Sequence, residues 1–94
     1  MHAVVRRYED TKLMDTLVQR RSEVEQVIRG VPGFVAYYLI KAADGGATVT
    51  VCQDQTGTST SVQRAHEWIA ANVPEAAGNL PEVTEGEVSI QFGS

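Results

Sequence analysis

Cysteine and histidine are scarce in this sequence of 94 residues. Its only cysteine, Cys52, has no partner for an internal disulfide. The two histidines, His2 and His66, are far apart and have no cysteine beside them, so the spacing of a structural zinc site is absent. We therefore expect no disulfide, no bound metal and no cofactor.

Long apolar runs and basic clusters are also missing. No stretch approaches the roughly 18 apolar residues of a membrane span, and the N-terminus lacks the pattern of a signal peptide. The 8 Lys and Arg are outnumbered by 12 Asp and Glu, and no basic residue follows Arg64. Clustered Lys and Arg dominate affinity for phosphates, so their scarcity argues against nucleic acid as a partner. The sequence predicts a cytoplasmic protein that binds neither membranes nor nucleic acid.

The length of the chain predicts one domain over residues 1–94. A chain this short buries only roughly 60 to 65% of the surface that its unfolded form exposes, so its core is thin. Small domains usually compensate with disulfides, a metal or a partner chain. Because the residues present do not support the first two, association with another chain is the remaining route.

Hydrophobic periodicity and turn residues divide the chain into six elements. Apolar residues at helical spacing over 13–28 predict one helix of about five turns. A stretch rich in Gly, Thr and Ser, 56–61, predicts a loop before a second helix that ends near Asn72. The predicted strands are 2–8, 34–41, 47–54 and 83–92. The order is therefore β-α-β-β-α-β.

This order is typical of a ferredoxin-like α+β sandwich, in which an antiparallel four-stranded sheet carries both helices on one face. The right-handed crossover rule gives the spatial strand order 4-1-3-2. Strand one then lies beside strand four, which brings Arg6 and Arg7 close to Glu85 and Glu87. We expect exposed ion pairs between these residues; the alternative is a patch that binds a ligand.

The second predicted strand is apolar on both faces, whereas a sheet with water on one side should alternate apolar and polar residues. Strict alternation places Phe34, Ala36, Tyr38 and Ile40 on one face and Val35, Tyr37 and Leu39 on the other. The helices can cover only one of these faces. A second copy of the chain can cover the other, so the sequence predicts a homodimer in the form of a dimeric α+β barrel.

Four motifs together resemble the dimeric α+β barrel superfamily typified by antibiotic biosynthesis monooxygenase-like domains. They are VVRRYE in the first strand, the Val31-Pro32-Gly33-Phe34 turn before AYYLI, Ser61-x3-Ala65-x2-Trp68-Ile69 in the second helix, and the closing PEVTEGEV. The chain looks most similar to small stand-alone members of unassigned function. The resemblance implies a ligand site inside each subunit, between the sheet and the helices. It also implies that Trp68 matches the helical Trp of cofactor-independent polyketide oxygenases, which place an Asn one turn earlier, where this chain has Arg64.

Four residues are candidates for binding a ligand. Trp68 can form a wall for a flat aromatic molecule, although filling the core is the alternative role. Ser61 and Asn72 flank it at helical spacing. Arg6, if it points inward, can bind an anionic or enolate oxygen.

Two residues are candidates for proton transfer. His66 can titrate near neutrality and shares helical spacing with apolar residues, and a surface position is the alternative. Tyr37 and Tyr38 point to opposite faces of their strand, so only one of them can line a given cavity. We name Tyr38 as the catalytic candidate of this pair.

Two functions are open. The first is a cofactor-independent, monooxygenase-like enzyme acting on a small aromatic or quinone-like molecule, which requires a cavity of roughly 300 Å³ or more between sheet and helices. The second is a non-catalytic dimeric domain for small-molecule binding or scaffolding, with an interior filled by side chains. The volume of that interior separates the two.

Overall fold

Residues 1–93 are described by a computed structural model, and they form four strands, three α-helices and one 3-10 turn. The strands are β1 (His2–Tyr8), β2 (Phe34–Ala42), β3 (Gly45–Cys52) and β4 (Glu82–Glu87). The helices are α1 (Thr11–Gln19), α2 (Arg21–Arg29) and α3 (Gln55–Asn72), and the 3-10 turn is Pro74–Ala76. The predicted elements are therefore present, with the first helix divided in two.

The sheet is antiparallel throughout and has the order β2-β3-β1-β4. This is the predicted order 4-1-3-2 counted from the other edge, so the ferredoxin-like α+β fold is confirmed. One face of the sheet packs against the helices and forms the core with them. The core cluster consists of Tyr8, Leu13, Met14, Leu17, Ile69, Val73 and Ala76.

The helical region before β2 is broken at Arg20, so the prediction of one continuous helix is wrong. Arg20 has φ −103° and ψ 35°, outside the α-helical region. Its side chain makes two hydrogen bonds to the Glu23 carboxylate and lies over the ring of Trp68. Apolar periodicity continues across the break, which is why the sequence pattern indicated a single helix.

Helix α3 begins at Gln55, so the predicted loop over 56–61 is also wrong. The Asp54 carboxylate caps the helix by accepting a hydrogen bond from the Thr56 backbone N–H at 3.0 Å. Gly57 fits in the first turn because a Cβ there would lie 2.2 Å from the Pro32 carbonyl oxygen. The cap and this close packing outweigh the low helix propensity of the segment.

Strand β4 ends at Glu87, five residues before the predicted end at Phe92. Glu87 is opposite His2, the first residue of β1, and the Val88 N–H donates to the Met1 carbonyl at 2.9 Å. Beyond this point β1 offers no further partner. The apolar alternation of residues 88–92 therefore continues without a ladder, and Phe92 is 88% exposed.

A β-bulge between Phe34 and Ala36 changes the faces of β2. Phe34 is opposite Cys52, on the face that carries the helices, and the Arg29 guanidinium lies 5.8 Å from its ring. The prediction that Phe34 shares a face with Ala36 and Tyr38 is wrong, because the extra residue inverts the alternation.

The register of β1 with β4 does not place the predicted ion-pair partners opposite each other. Val83 is opposite Arg6 and Glu82 is opposite Arg7, whereas Glu85 and Glu87 are opposite Val4 and His2. The ion pairs within residues 1–93 join Arg20 to Glu23, Arg29 to Glu25 and Lys41 to Asp15. The prediction that Arg6 and Arg7 pair with Glu85 and Glu87 is therefore wrong, because sequence order gave the neighbouring strand but not its register.

The open face of the sheet carries no helix in the described chain, and an apolar row crosses it. Tyr38 is opposite Val49, which in turn is opposite Val5. Tyr38 is 59% exposed and Ile40, two residues along the same strand, is 55% exposed. The row of β-branched and aromatic side chains thus lies on a surface that meets solvent.

Candidate ligand site at Arg6

Arg6 lies in the middle of β1 on the helix-covered face and is only 3% exposed. Its Nη1 donates a hydrogen bond to the Tyr8 hydroxyl at 3.2 Å, and its Nε has no hydrogen-bond partner. None of the ion pairs within residues 1–93 includes it. A buried cation normally has an acid beside it, because removing a charge from water costs several kcal/mol. Arg6 is therefore an incompletely satisfied group.

Two further polar groups without partners lie next to Arg6 on the same face. Thr48 is opposite Arg6 in β3, and Thr50 is opposite Val4. Both threonines are buried and neither hydroxyl makes a hydrogen bond. Leaving one such group unsatisfied costs about 1–3 kcal/mol. Three polar atoms without partners thus lie close together on the helix-covered face of the sheet.

Two tyrosines border this polar centre. Burial raises the pKa of Tyr8 and of Tyr37 above the ordinary value, while the nearby Arg6 charge opposes the shift in both. The Thr48 hydroxyl lies close enough to Tyr37 to lower the Tyr37 pKa slightly, without the geometry of a hydrogen bond. Both phenols are therefore neutral at pH 7 and able to donate a proton in a hydrogen bond.

A small inner cavity lies between the sheet and the helices. Its volume is about 20 Å³, close to that of one water molecule, and far below the roughly 300 Å³ expected for a bound substrate. Arg6, Tyr8 and Tyr37 are among the residues that line it. Its remaining lining is apolar: Leu17, Val24, Val27, Ile28, Ala65, Trp68 and Ile69.

A second cavity, the side cleft, has a volume of about 220 Å³ and lies between α3, the segment after it and β4. Arg6, Tyr8 and Ile69 line both the side cleft and the inner cavity. His66 also lines the side cleft, although its side chain is largely exposed. Arg6 therefore lies between the two spaces, and His66 lies at the solvent side of one of them.

A groove between α2 and β2 opens on the other side of the inner cavity, and its volume is about 580 Å³. The groove and the inner cavity share four lining residues, which separate them: Leu17, Val24, Ile28 and Tyr37. Movement of the Tyr37 ring or of α2 would join the two spaces.

Trp68 is half-buried and lines the inner cavity, and its role as the wall of a ligand site stays a prediction. On its outer side the Arg20 guanidinium lies 4.8 Å from the ring centroid. Asn72 belongs to this outer layer, since its amide donates to the Trp68 carbonyl at 2.9 Å and accepts from Arg20 at 2.9 Å. Asn72 lines neither the inner cavity nor the side cleft.

The other predicted residues lie outside the polar centre. Ser61 is buried, but its hydroxyl donates to the Thr58 carbonyl at 2.7 Å and lines neither space. Tyr38 lies on the open face of the sheet, and Tyr37 takes the position facing the helices. The structure thus brings Arg6 and Trp68 to the inner cavity and places His66 beside the side cleft.

Thr48 and Thr50, the buried polar residues beside Arg6, were not named by the sequence prediction, and neither lines the inner cavity or the side cleft. The signal was present in β3, where threonines alternate with valines and the threonines share the face of Arg6. The sequence prediction also missed a polar contact near the N-terminus. His2 Nδ1 lies 2.8 Å from Thr58 Oγ1, and Thr58 Oγ1 lies 3.3 Å from Glu85 Oε2. This group is at the end of the sheet and does not reach the inner cavity.

Two negative findings apply to the described residues. Within residues 1–93, no group of three His, Cys, Asp or Glu side chains is placed to hold a metal ion. No helix in that range is both long and apolar enough to cross a membrane.

Comparison with known proteins gives matches only at the level of structure. No protein-family model and no curated protein matches the sequence. The NE2512 protein of unknown function from Nitrosomonas europaea superposes with a TM-score of 0.66 at 16% identity, covering 99% of this chain and 94% of that one. A candidate antibiotic biosynthesis monooxygenase from Chloroflexus aurantiacus gives 0.64 at 16% identity, covering 98% and 96%.

Two further matches have descriptions that state an activity or an assembly. SnoaB, a cofactor-independent oxygenase from Streptomyces nogalater, gives a TM-score of 0.59 at 16% identity and covers 97% of this chain and 94% of its own. A dimeric ferredoxin-like protein from an uncultured marine organism gives 0.61 at 8% identity, covering 99% and 96%. At these identities the likeness concerns the fold alone. The chain therefore shares the ferredoxin-like α+β fold of antibiotic biosynthesis monooxygenase-like proteins.

Proposed function

We propose that the chain is a cofactor-independent, monooxygenase-like enzyme that acts on a small aromatic or quinone-like molecule. The observation that carries this proposal is an interior cavity with an aromatic wall, Trp68, and a buried cation, Arg6, that has no acid partner. The fold shared with SnoaB supports the same chemistry.

Arg6 suits an oxidation in which negative charge develops on a ring oxygen. When a ring CH₂ that is conjugated with a carbonyl, as in anthrone, is oxidised by O₂, the products are a new carbonyl and water, and the first step is loss of a proton to form an enolate. A preorganised cation and hydroxyl donors stabilise such an oxyanion in a site that excludes water. Arg6 with the Tyr8 hydroxyl would hold the oxyanion, and His66 at the side cleft would accept the proton.

The volume of the inner cavity sets a condition on this proposal. About 20 Å³ cannot hold an aromatic ring, so a substrate must open the partition formed by Tyr37 and its neighbours or enter from the side cleft. The same volume favours the second candidate function, a non-catalytic binding or scaffold domain whose interior is filled by side chains.

Oxygen consumption with anthrone as the substrate distinguishes the two functions. We expect the wild-type chain to raise the rate at least tenfold above protein-free buffer, and Arg6→Met to remove most of that gain, since loss of one oxyanion donor costs roughly 10² to 10³ in rate. Lys12→Met, which removes an exposed cation on α1 that lines neither the inner cavity nor the side cleft, is the control and should retain the wild-type rate. A wild-type rate equal to that of buffer would contradict the oxygenase proposal and favour the non-catalytic alternative.

We also propose that the chain forms a homodimer through the open face of the sheet. The apolar row on the open face supports this assembly, because a second sheet would remove it from water: Tyr38 and Ile40 are exposed, and Val49 and Val5 are half-buried. The dimeric ferredoxin-like protein with the same fold supports it as well. Light scattering should give twice the protomer mass of 10.2 kDa at micromolar concentration, and a mass of 10.2 kDa would contradict the dimer. The cytoplasmic location expected from the sequence stays a prediction.

A further inference from the structure

We propose that Arg6, Thr48 and Thr50 form a receptor for a planar organic anion, namely the carboxylate or ionised enol of an aromatic ligand. The proposal rests on the function proposed above, because it names the charge class of the ligand for the same site. It does not depend on turnover, so binding alone can test it.

The free edge of the Arg6 guanidinium defines the shape of the anion. Nη1 already donates to the Tyr8 hydroxyl, whereas the buried Nε, which shares an edge of the guanidinium with Nη2, has no hydrogen-bond partner. Two parallel N–H groups on one edge match two oxygens that share a charge in one plane. Carboxylates and ionised β-hydroxy enones have this arrangement.

The threonine hydroxyls extend the receptor along β3. Thr48 is directly opposite Arg6, and Thr50 is two residues further on the same face. Their hydroxyl groups are buried and without partners, so each can donate to an anionic oxygen without giving up another hydrogen bond. Neither threonine lines the inner cavity, so an anion held by Arg6 reaches them only when the side chains around that cavity move apart. A ligand that accepts from them would satisfy three groups that the folded chain alone leaves unsatisfied.

Charge selects an anion over a neutral ligand. The carboxylates of residues 1–93 that form ion pairs do so with Arg20, Arg29 and Lys41, not with Arg6. A neutral ligand in the inner cavity would leave the Arg6 charge buried and uncompensated, whereas an anion would neutralise it. The apolar and aromatic walls, among them Trp68 and Tyr37, favour a ring as the rest of the ligand.

Isothermal titration calorimetry on the full chain tests the proposal with two matched pairs of probes. The carboxylate pair is 2-naphthoate and the neutral 2-naphthamide; the enol pair is 2-hydroxy-1,4-naphthoquinone and 1,4-naphthoquinone. We expect at least one anion to bind tenfold or more tightly than its neutral partner. The pair that shows the preference identifies the source of the charge. Equal affinity within both pairs, or no binding of any probe, would overturn the proposal.

Two variants assign the preference to the named residues. Arg6→Met should abolish it, Thr48→Val should reduce it several-fold, and Lys12→Met should leave it unchanged. If Arg6→Met does not fold, the wild-type ratio and Thr48→Val decide. A preference that persists in Arg6→Met, or that is unaltered in Thr48→Val when Arg6→Met is unfolded, would contradict the assignment.

The two proposals can fail separately. Anion preference without oxygen consumption would contradict the monooxygenase function and support the receptor. Oxygen consumption without anion preference would do the reverse.

Discussion

Each face of the sheet departs in part from the character that it normally has. The face under the helices buries a guanidinium and two threonine hydroxyls without partners, while the face without helices presents Tyr38, Ile40 and a row of valines. In an ordinary two-layer domain the covered face is apolar and the open face polar. The comparison teaches that neither face is complete in the single chain. The inner face has polar groups without hydrogen-bond partners, and the outer face has an apolar row that nothing covers.

The largest effect is expected from a charge on the open face. Ile40→Asp should raise the dimer dissociation constant by more than roughly 100-fold, because two unpaired carboxylates would be buried in one symmetric interface. Ile40 is 55% exposed in the protomer, so the fold itself should tolerate the change. Sedimentation analysis measures the constant. Ser22→Asp, which adds the same charge on exposed α2, is the control; equal constants for the two variants would remove the open face from the interface.

Removing the Arg6 charge from the inner face should stabilise the protein, whereas adding a charge to the open face should weaken the dimer. Arg6→Met is expected to raise the free energy of unfolding by about 1–3 kcal/mol, since apolar residues commonly replace buried charges with a gain. Urea denaturation measures the change, and Arg64→Met should stay within about 0.5 kcal/mol of wild type. A loss of stability in Arg6→Met would show that the guanidinium is satisfied in the folded chain, and the contrast between the faces would weaken.

A reciprocal exchange within β3 sharpens the comparison. Thr50→Val keeps the side-chain shape and removes a buried hydroxyl without a partner, so it should raise the free energy of unfolding by about 1 kcal/mol. Val49→Thr, on the neighbouring open-face position, should lower it by a similar amount in the dimer. Thermal unfolding of both variants gives the comparison. A change in the free energy of unfolding of the same sign in both variants would contradict the difference between the two faces.

The smallest effect concerns alkaline pH. Burial raises the pKa of Tyr37 above 10, so the folded state holds its phenol proton after the unfolded chain has lost it. Stability is therefore constant below about pH 10 and falls as the pH rises towards the folded-state pKa, by at most about 1.4 kcal/mol per pH unit for one group. Tyr37→Phe should reduce this fall in urea denaturation series at pH 9 to 11. Tyr38→Phe is the matched control, and identical slopes for both variants would contradict the effect.

The order of elements and of strands could be predicted because Gly and Pro residues mark the ends of the elements and the right-handed crossover rule sets the strand order. Gly30, the Pro32-Gly33 turn and the Gly45-Gly46 turn separate the elements, and the crossover rule leaves one arrangement. The bulge at Val35, the register of β4 and the break at Arg20 could not be predicted in this way. Each depends on how a strand or helix meets a neighbour that is distant in sequence.

The candidate site was predictable only in part for the same reason. Trp68 and Arg6 could be named from chemistry, since each residue type suggests an aromatic or anionic ligand. Whether Arg6 points inward depends on the pleat and on the register with Val83 and Thr48. Ser61 and Asn72 were named from helical spacing alone, and spacing does not reveal that their polar groups already bind the local backbone.

The position of Trp68 between the inner cavity and the Arg20 guanidinium has a practical consequence. It is the only tryptophan in the chain, so all indole fluorescence comes from one ring with a cation on its outer side and the candidate site on its inner side. A molecule that enters the cavity replaces empty space against that ring and changes its emission, while the Arg20 side stays the same. The chain thus carries a built-in optical reporter, at the wall of the space whose occupant is sought.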